Sequence, residues 1–182
     1  MNFYSIPIIK VSIQQNWEEI NIVHRLSHPN VVACIEYFKT ANNCYTVYEF
    51  CEDGDLSRQL RKGHLGDKED LSQANGIIKD VFQGLLYLES MSIVHRDIKA
   101  ANILLAAGRA KIGDFGFATH CKREFKDVSI GSPAYMSPEG LLHNVYGPKT
   151  DVWSFGVLLY ELLHGKTPFH NCESEAELKQ RV

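Results

Sequence analysis

Between residues 95 and 116 the chain reads H-R-D-I-K-A-A-N-I-L-L-A-A-G-R-A-K-I-G-D-F-G. Asp97 could accept the hydrogen bond of an incoming hydroxyl and take its proton, and Lys99, two residues on, could reach a phosphate. Asn102 and Asp114 offer hard oxygen ligands of the kind that suit Mg²⁺ held partly by nucleotide phosphates. A base, a cation and metal ligands are what phosphoryl transfer asks of a protein, because the reaction needs in-line positioning and charge neutralisation more than covalent help. Taken singly, a loop Asp or Lys is more often solvated or capping. Seven fixed letters at these offsets recur by chance on the order of once per billion starting positions, so the set as a whole points to chemistry.

The elements that must position these residues can be read from periodicity. Residues 6–11 form a short apolar run broken by Pro7, the pattern of an edge strand. Over 14–26, Trp17, Ile20, Val23 and Leu26 recur at three-residue steps, which predicts a helix stopped by His28-Pro29-Asn30. Residues 31–38 and 44–50 are β-rich and separated by the turn-like Thr40-Ala41-Asn42-Asn43, so they form an expected hairpin. From Asp55 helices take over: a short one through Leu56 and Leu60, then a long one over 70–89 with a stripe of Leu71, Ala74, Ile77, Ile78, Val81, Leu85 and Leu88. Within the chemical segment, Ile103-Leu104-Leu105 and Ala110-Lys111-Ile112 flank Ala107-Gly108-Arg109. That small hairpin brings Asn102 and Asp114 close together. Residues 150–163 are apolar on most sides and read as a central helix, and a further helix begins near Glu173.

Composition narrows the class. At 182 residues the chain can bury one sizeable core, and its 45% hydrophobic and 23% charged content is that of an ordinary globular protein. A formal net charge of -3 gives no broad basic field, so nucleic acid is not an expected partner. Five scattered cysteines with no C-x-x-C pair suggest reduced thiols and a cytoplasmic setting. No apolar run approaches the roughly 20 residues of a membrane helix.

The segment 95–116 resembles the catalytic loop and D-F-G signatures of eukaryotic protein kinases, and the resemblance extends over nearly the whole chain. It implies an α+β fold in two lobes: a reduced β-containing N-lobe over 1–51 and a mainly helical, C-terminally incomplete C-lobe over 52–182. Asp97 would be the base, Lys99 the phosphate contact, and Asn102 and Asp114 the Mg²⁺ ligands. In E-I-N-I-V-H-R-L-S-H-P-N-V-V, Glu19 matches the glutamate that pairs with the ATP-binding lysine. Tyr48-Glu49-Phe50-Cys51 matches the gatekeeper and hinge, where backbone groups of Glu49 and Cys51 would bond adenine. Asp55 matches the ribose contact and Leu104 the residue beneath the adenine ring, while ordinary core is the alternative for Tyr48 and Leu104. His95 and Phe115 belong to an internal stack. G-S-P-A-Y-M-S-P-E over 131–139 resembles the peptide-docking segment, with Ser137 in place of the usual Ala, and Asp151 matches the residue that braces the catalytic loop or else is a helix cap. Lys99 after the base and Gly131-Ser132-Pro133 favour Ser or Thr over Tyr as acceptor. Short stretches such as C-E-D-G-D-L and D-F-G-F-A are similar to the ULK, or autophagy-initiating, group. Arg96 beside Asp97 marks kinases whose activation loop is ordered by a phosphate. The commonest acceptor position, four residues before Ser132, is Val128 here, so Ser129 is the expected acceptor with Thr119 as the other candidate, and Ser132 is counted with Arg96 and Ser129 as regulatory.

Two family features are missing. No G-x-G-x-x-G precedes the first strand, and Pro7 falls where the ATP-binding lysine belongs, leaving Lys10 as the nearby cation. The expectation is therefore a serine/threonine kinase using ATP and Mg²⁺ on a protein substrate, the chain being a piece of a longer kinase. The alternative is a kinase-like module that binds regulatory or scaffold proteins without catalysis.

Overall fold

The computed structural model describes residues 8–12, 17–41, 43–62 and 71–182. Pro7, the expected helix start at Gln14 and the side chain of Lys10 lie outside the described residues. The strand-rich N-terminal part comprises β1 (Ile8–Ser12), α1 (Trp17–Val23), β2 (Cys34–Lys39) and β3 (Asn43–Tyr48). The three strands form an antiparallel sheet in the order β1-β3-β2, with Lys10 opposite Tyr45 and Tyr37 opposite Thr46. The predicted hairpin is thus β2–β3, and β1 lies on the expected edge. Helix α1 ends earlier than its periodicity suggests. After Val23 the N–H groups of Arg25 and Leu26 bond to the carbonyls three residues back, at Ile22 and Val23, a tightening common where a helix runs out of partners. Leu26 is still buried, so its apolar spacing served the core without belonging to the helix.

The rest of the chain holds β4 (Gly54–Asp55), α2 (Leu56–Arg61), α3 (Leu71–Ser90), β5 (Ile93–Val94), β6 (Ile103–Ala106), β7 (Arg109–Ile112), β8 (Thr119–His120), β9 (Phe125–Lys126), α4 (Pro138–His143), β10 (Val145–Tyr146), α5 (Thr150–His164) and α6 (Glu175–Arg181). Ala74, Ile77, Val81 and Leu88 of α3 are buried, as their stripe requires. The helix packs closely on β7 because residue 84 is Gly. A Cβ there would lie 2.8 Å from both the Asn30 carbonyl oxygen and Ile112 Cδ1. The main core joins α1, α3, the β6–β7 hairpin and α5 through Ile22, Val81, Ile98, Ile103, Ile112, Phe115 and Leu158. Ser137 explains its own presence in the S-P-E stretch. Its Oγ accepts the Gly140 N–H as N-cap of α4, a service the usual Ala could not provide. Helix α5 is more one-sided than its composition suggests, with Val157, Leu158 and Leu162 buried and Val152, Trp153 and Leu163 exposed.

Candidate active site

The catalytic segment leaves β5 and must turn sharply, because Arg96 sits at φ 68°, left-handed backbone that a bulky side chain rarely adopts. Asp151, in the first turn of α5, holds that turn. Its two carboxylate oxygens accept the N–H groups of His95 (2.7 Å) and Arg96 (2.9 Å). The cap position of α5 is Lys149, with no side-chain cap, so Asp151 serves the loop and not the helix end. Burial pushes the Asp151 carboxyl upward, against the pull of His95 and Arg96. His95 is fully enclosed: Nδ1 accepts the Asp97 N–H (3.3 Å), Nε2–H donates to the Gly113 carbonyl (3.0 Å), and the ring packs edge-on to Phe115 at 4.9 Å. The expected internal stack is therefore present.

Asp97 is 4% exposed and both of its oxygens are engaged. Oδ2 takes the Asn102 Nδ2–H (3.0 Å) and pairs with Lys99 Nζ (2.7 Å). Oδ1 takes the Ser132 N–H (3.0 Å) and the Ser132 hydroxyl (2.9 Å). Lys99 Nζ also donates to Ser132 Oγ at 2.8 Å. Four donors on one carboxylate fix its orientation. Ser132, expected to be regulatory, thus sits on Asp97 itself. The Asn102 amide nitrogen also donates to the Asp97 carbonyl (2.9 Å), which leaves its side-chain oxygen without a hydrogen-bond donor among the described residues. Ile103 pairs with Ile112 across the hairpin and the Gly113 N–H donates to the Asn102 carbonyl, so Asp114 follows directly beside Asn102. Asp114 is exposed, at φ 58°, with one oxygen accepting the Gly116 N–H at 3.3 Å.

Glu19 is buried in α1 and accepts the Tyr48 hydroxyl at 3.0 Å. Burial raises its carboxyl, the Tyr48 bond opposes that, and the Asp114 charge adds to it, which places the two acids near one another. After β3, Glu49 and Ala33 bond each other twice: the Glu49 N–H donates to the Ala33 carbonyl (3.0 Å) and the Ala33 N–H to Glu49 Oε1 (2.7 Å). Lys111 of β7 pairs with the same oxygen at 2.9 Å. The Glu49 carbonyl and the Cys51 N–H make no hydrogen bond among the described residues. Burial pushes the Cys51 thiol up to about 11, so it is a neutral apolar wall. Cys51 packs with Val32, Ala106 and Leu104. Asp55 caps α2, accepting the Arg58 N–H (2.9 Å) and the Ser57 hydroxyl (2.5 Å). Burial opposes its charge, yet those bonds hold its carboxyl below the usual carboxylate range.

Arg96 and Ser129 are not brought together. Arg96 Nε donates to the Phe117 carbonyl (2.6 Å) and Nη1 to Asp127 Oδ2 (2.6 Å), while Ser129 is exposed. Sequence reasoning missed Asp127 and Lys111. Each finds its partner 31 or 62 residues away, and no local spacing signals that.

This strand-rich part followed by a helical part, with a braced H-R-D turn and a D-F-G segment beside it, defines a class: the chain belongs to the protein kinase domain family, whose model matches residues 7–182. It is 39% identical over 168 residues to serine/threonine-protein kinase PLK4 of Drosophila ananassae and to that of Drosophila melanogaster, and 38% identical to that of Drosophila virilis. The alignments cover 91% of this chain but only 22%, 22% and 21% of those proteins, so it spans about a fifth of the length of these relatives. They carry the PLK4 name, not the ULK name that the short stretches suggested. No helix among the described residues is long and apolar enough to cross a membrane.

Proposed function

We propose that the chain transfers the γ-phosphoryl group of ATP to a serine or threonine hydroxyl of a protein, with Asp97 as base. One observation carries this reading: a hydroxyl, that of Ser132, already donates to Asp97 Oδ1 while Lys99 donates to the same hydroxyl oxygen. An acceptor hydroxyl exchanged for it at Oδ1 would have its proton aimed at the base and a cation beside its oxygen. Asp97 takes the proton as the new P–O bond forms and that to the leaving ADP oxygen breaks, and Lys99 offsets charge on the transferred group.

The residues present fit a nucleotide and its metal. The unengaged Glu49 carbonyl and Cys51 N–H match the two edges of adenine, with Val32, Leu104 and Ala106 as apolar walls. Asp55, one of whose oxygens remains outside the cap, would meet the ribose. The open oxygens of Asn102 and Asp114 would hold Mg²⁺, and Glu19 would lie on the phosphate side. When bound, Mg²⁺ neutralises phosphate charge. We place the lobe boundary at the hinge, between 1–51 and 52–182, and favour a cytoplasmic setting, in keeping with five free thiols.

A Mg²⁺-ATP thermal shift tests the nucleotide half. Saturation at about 100 times Kd should add about 2.7 kcal/mol of stability. Asp114→Ala should remove the Mg²⁺-dependent part of the shift. The absence of any shift at millimolar Mg²⁺-ATP would overturn the reading and favour a kinase-like binding module.

A further inference from the structure

Arg96 carries a guanidinium whose side chain is only 7% exposed, and a cation so buried needs a counter-charge. Apart from the Phe117 carbonyl on Nε, its surroundings come from a single stretch of chain and the strand that pairs with it. The rings of Phe125 and Tyr146 lie 5.6 and 5.5 Å from the guanidinium carbon, and these two residues face each other across β9 and β10. Among the described residues the one carboxylate in contact with the Arg96 guanidinium is that of Asp127, which follows β9 directly. Asp127 is itself fixed. Its N–H donates to the Asn144 carbonyl (3.1 Å), and its second oxygen accepts the Val128 N–H (2.8 Å). The Arg96 guanidinium beside it holds its carboxyl below the usual carboxylate range.

Beyond Asp127 the chain wraps the Tyr146 hydroxyl, which accepts the Ile130 N–H at 2.7 Å. It then passes Gly131 against the Arg96 carbonyl, where a Cβ would approach to 2.6 Å, and reaches Ser132 on Asp97. Residues 125–132 therefore close on the catalytic loop at two neighbouring points, Asp127 on Arg96 and Ser132 on Asp97. Only four residues, 128–131, lie between the two points.

We propose that Asp127 is a positioning residue: its carboxylate clamps residues 125–132 onto the catalytic loop through Arg96, so this site is ordered without a phosphate on the segment. A neutral hydroxyl could not balance Arg96, and the position most often phosphorylated in the family is Val128, which has no hydroxyl. Ser129 is exposed and takes no part in the clamp. The carboxylate is already where a phosphate would have to bind, so a phosphate there would have to displace it.

The proposal rests on the kinase reading for its catalytic consequence but not for its structural one, so the test reads both. Amide hydrogen exchange over 125–132 and phosphorylation of a Ser/Thr peptide are measured on the whole chain, before and after treatment with a broad-specificity protein phosphatase, and on Asp127→Ala and Asp127→Glu. Phosphatase treatment should leave exchange unchanged. Asp127→Ala should speed exchange over 125–132 by about tenfold or more while α5 stays protected, and Asp127→Glu should restore most of the protection. In the kinetic arm, Asp127→Ala should lower kcat about tenfold with the KM for ATP within about twofold of wild type. The proposal is overturned if phosphatase treatment alone opens the segment, or if Asp127→Ala leaves it protected. A wild-type chain that transfers no phosphate would sink the kinase reading, and the exchange comparison would still decide the clamp by itself.

Discussion

Replacing Asp151 with Ala removes the acceptor of two buried backbone N–H groups, those of His95 and Arg96. Each N–H left without a partner costs about 1–3 kcal/mol, so the pair amounts to about 2–6 kcal/mol. Water entering the space vacated by the carboxylate recovers part of this, which favours the lower half of that range. The substitution also releases Arg96 from the left-handed conformation that Asp151 enforces, and a strained residue so held stores on the order of 1 kcal/mol, which lowers the net loss slightly. The expected net effect is a destabilisation of about 1–3 kcal/mol, out of the roughly 5–15 kcal/mol typical of a domain. Asp151→Asn keeps one acceptor oxygen but turns an NH₂ toward the second N–H. It should lose about half as much or slightly more. Urea unfolding followed by circular dichroism reads both values, with an unchanged m-value as the sign that native compactness is retained. A change below about 0.5 kcal/mol for Asp151→Ala, within the range of an ordinary surface substitution, would refute the idea that this carboxylate holds the turn.

Two further outcomes follow from the same geometry. Ser132→Ala deletes the hydroxyl shared by Asp97 and Lys99, a charge-assisted bond of about 1.5–3 kcal/mol, so the substrate-free protein should lose up to that much stability in urea unfolding while Ser132→Thr stays near wild type. Burial raises the carboxyl of Glu161, opposed by its bond from the Tyr135 hydroxyl. A raised carboxyl contributes stability that is present below its unfolded value of about 4.3 and is lost as pH rises through the folded value. Glu161→Gln, which keeps an acceptor for Tyr135, should therefore gain stability relative to wild type as pH rises from about 4 toward 7. Thermal melts across that range check it, and a constant difference between the two proteins would contradict it.

Much of the fold can be read from local pattern, because local pattern causes it. The stripe of α3, the β2–β3 and β6–β7 hairpins and the capped start of α2 at Asp55 follow from side-chain period and turn chemistry that neighbours along the chain supply. The early end of α1 does not follow, because Leu26 keeps helical spacing while serving the core from a turn. Nor does the exposed far side of α5, whose apolar composition alone cannot say which faces are covered. Within the site, Asp97, Lys99, Asn102 and Asp114 form a readable set since they share two short loops. Asp127 at Arg96 and Lys111 at Glu49 are products of tertiary closure, and a charged residue on a loop or the open face of a strand looks the same in sequence whether or not a partner awaits it. Ser132 stands between these cases. Its place in G-S-P was visible, but its bond to Asp97 depends on the turn of residues 125–132 around Tyr146.

The most direct test of the chain's activity compares wild type with Asp97→Asn for transfer of radiolabel from Mg²⁺-ATP to a Ser/Thr peptide, with nucleotide binding measured in parallel. Loss of a general base costs about 10²–10⁴-fold. The expected result is that both proteins bind Mg²⁺-ATP with similar affinity while Asp97→Asn transfers phosphate slower by that factor. Equal transfer rates in the two proteins would contradict Asp97 as the base.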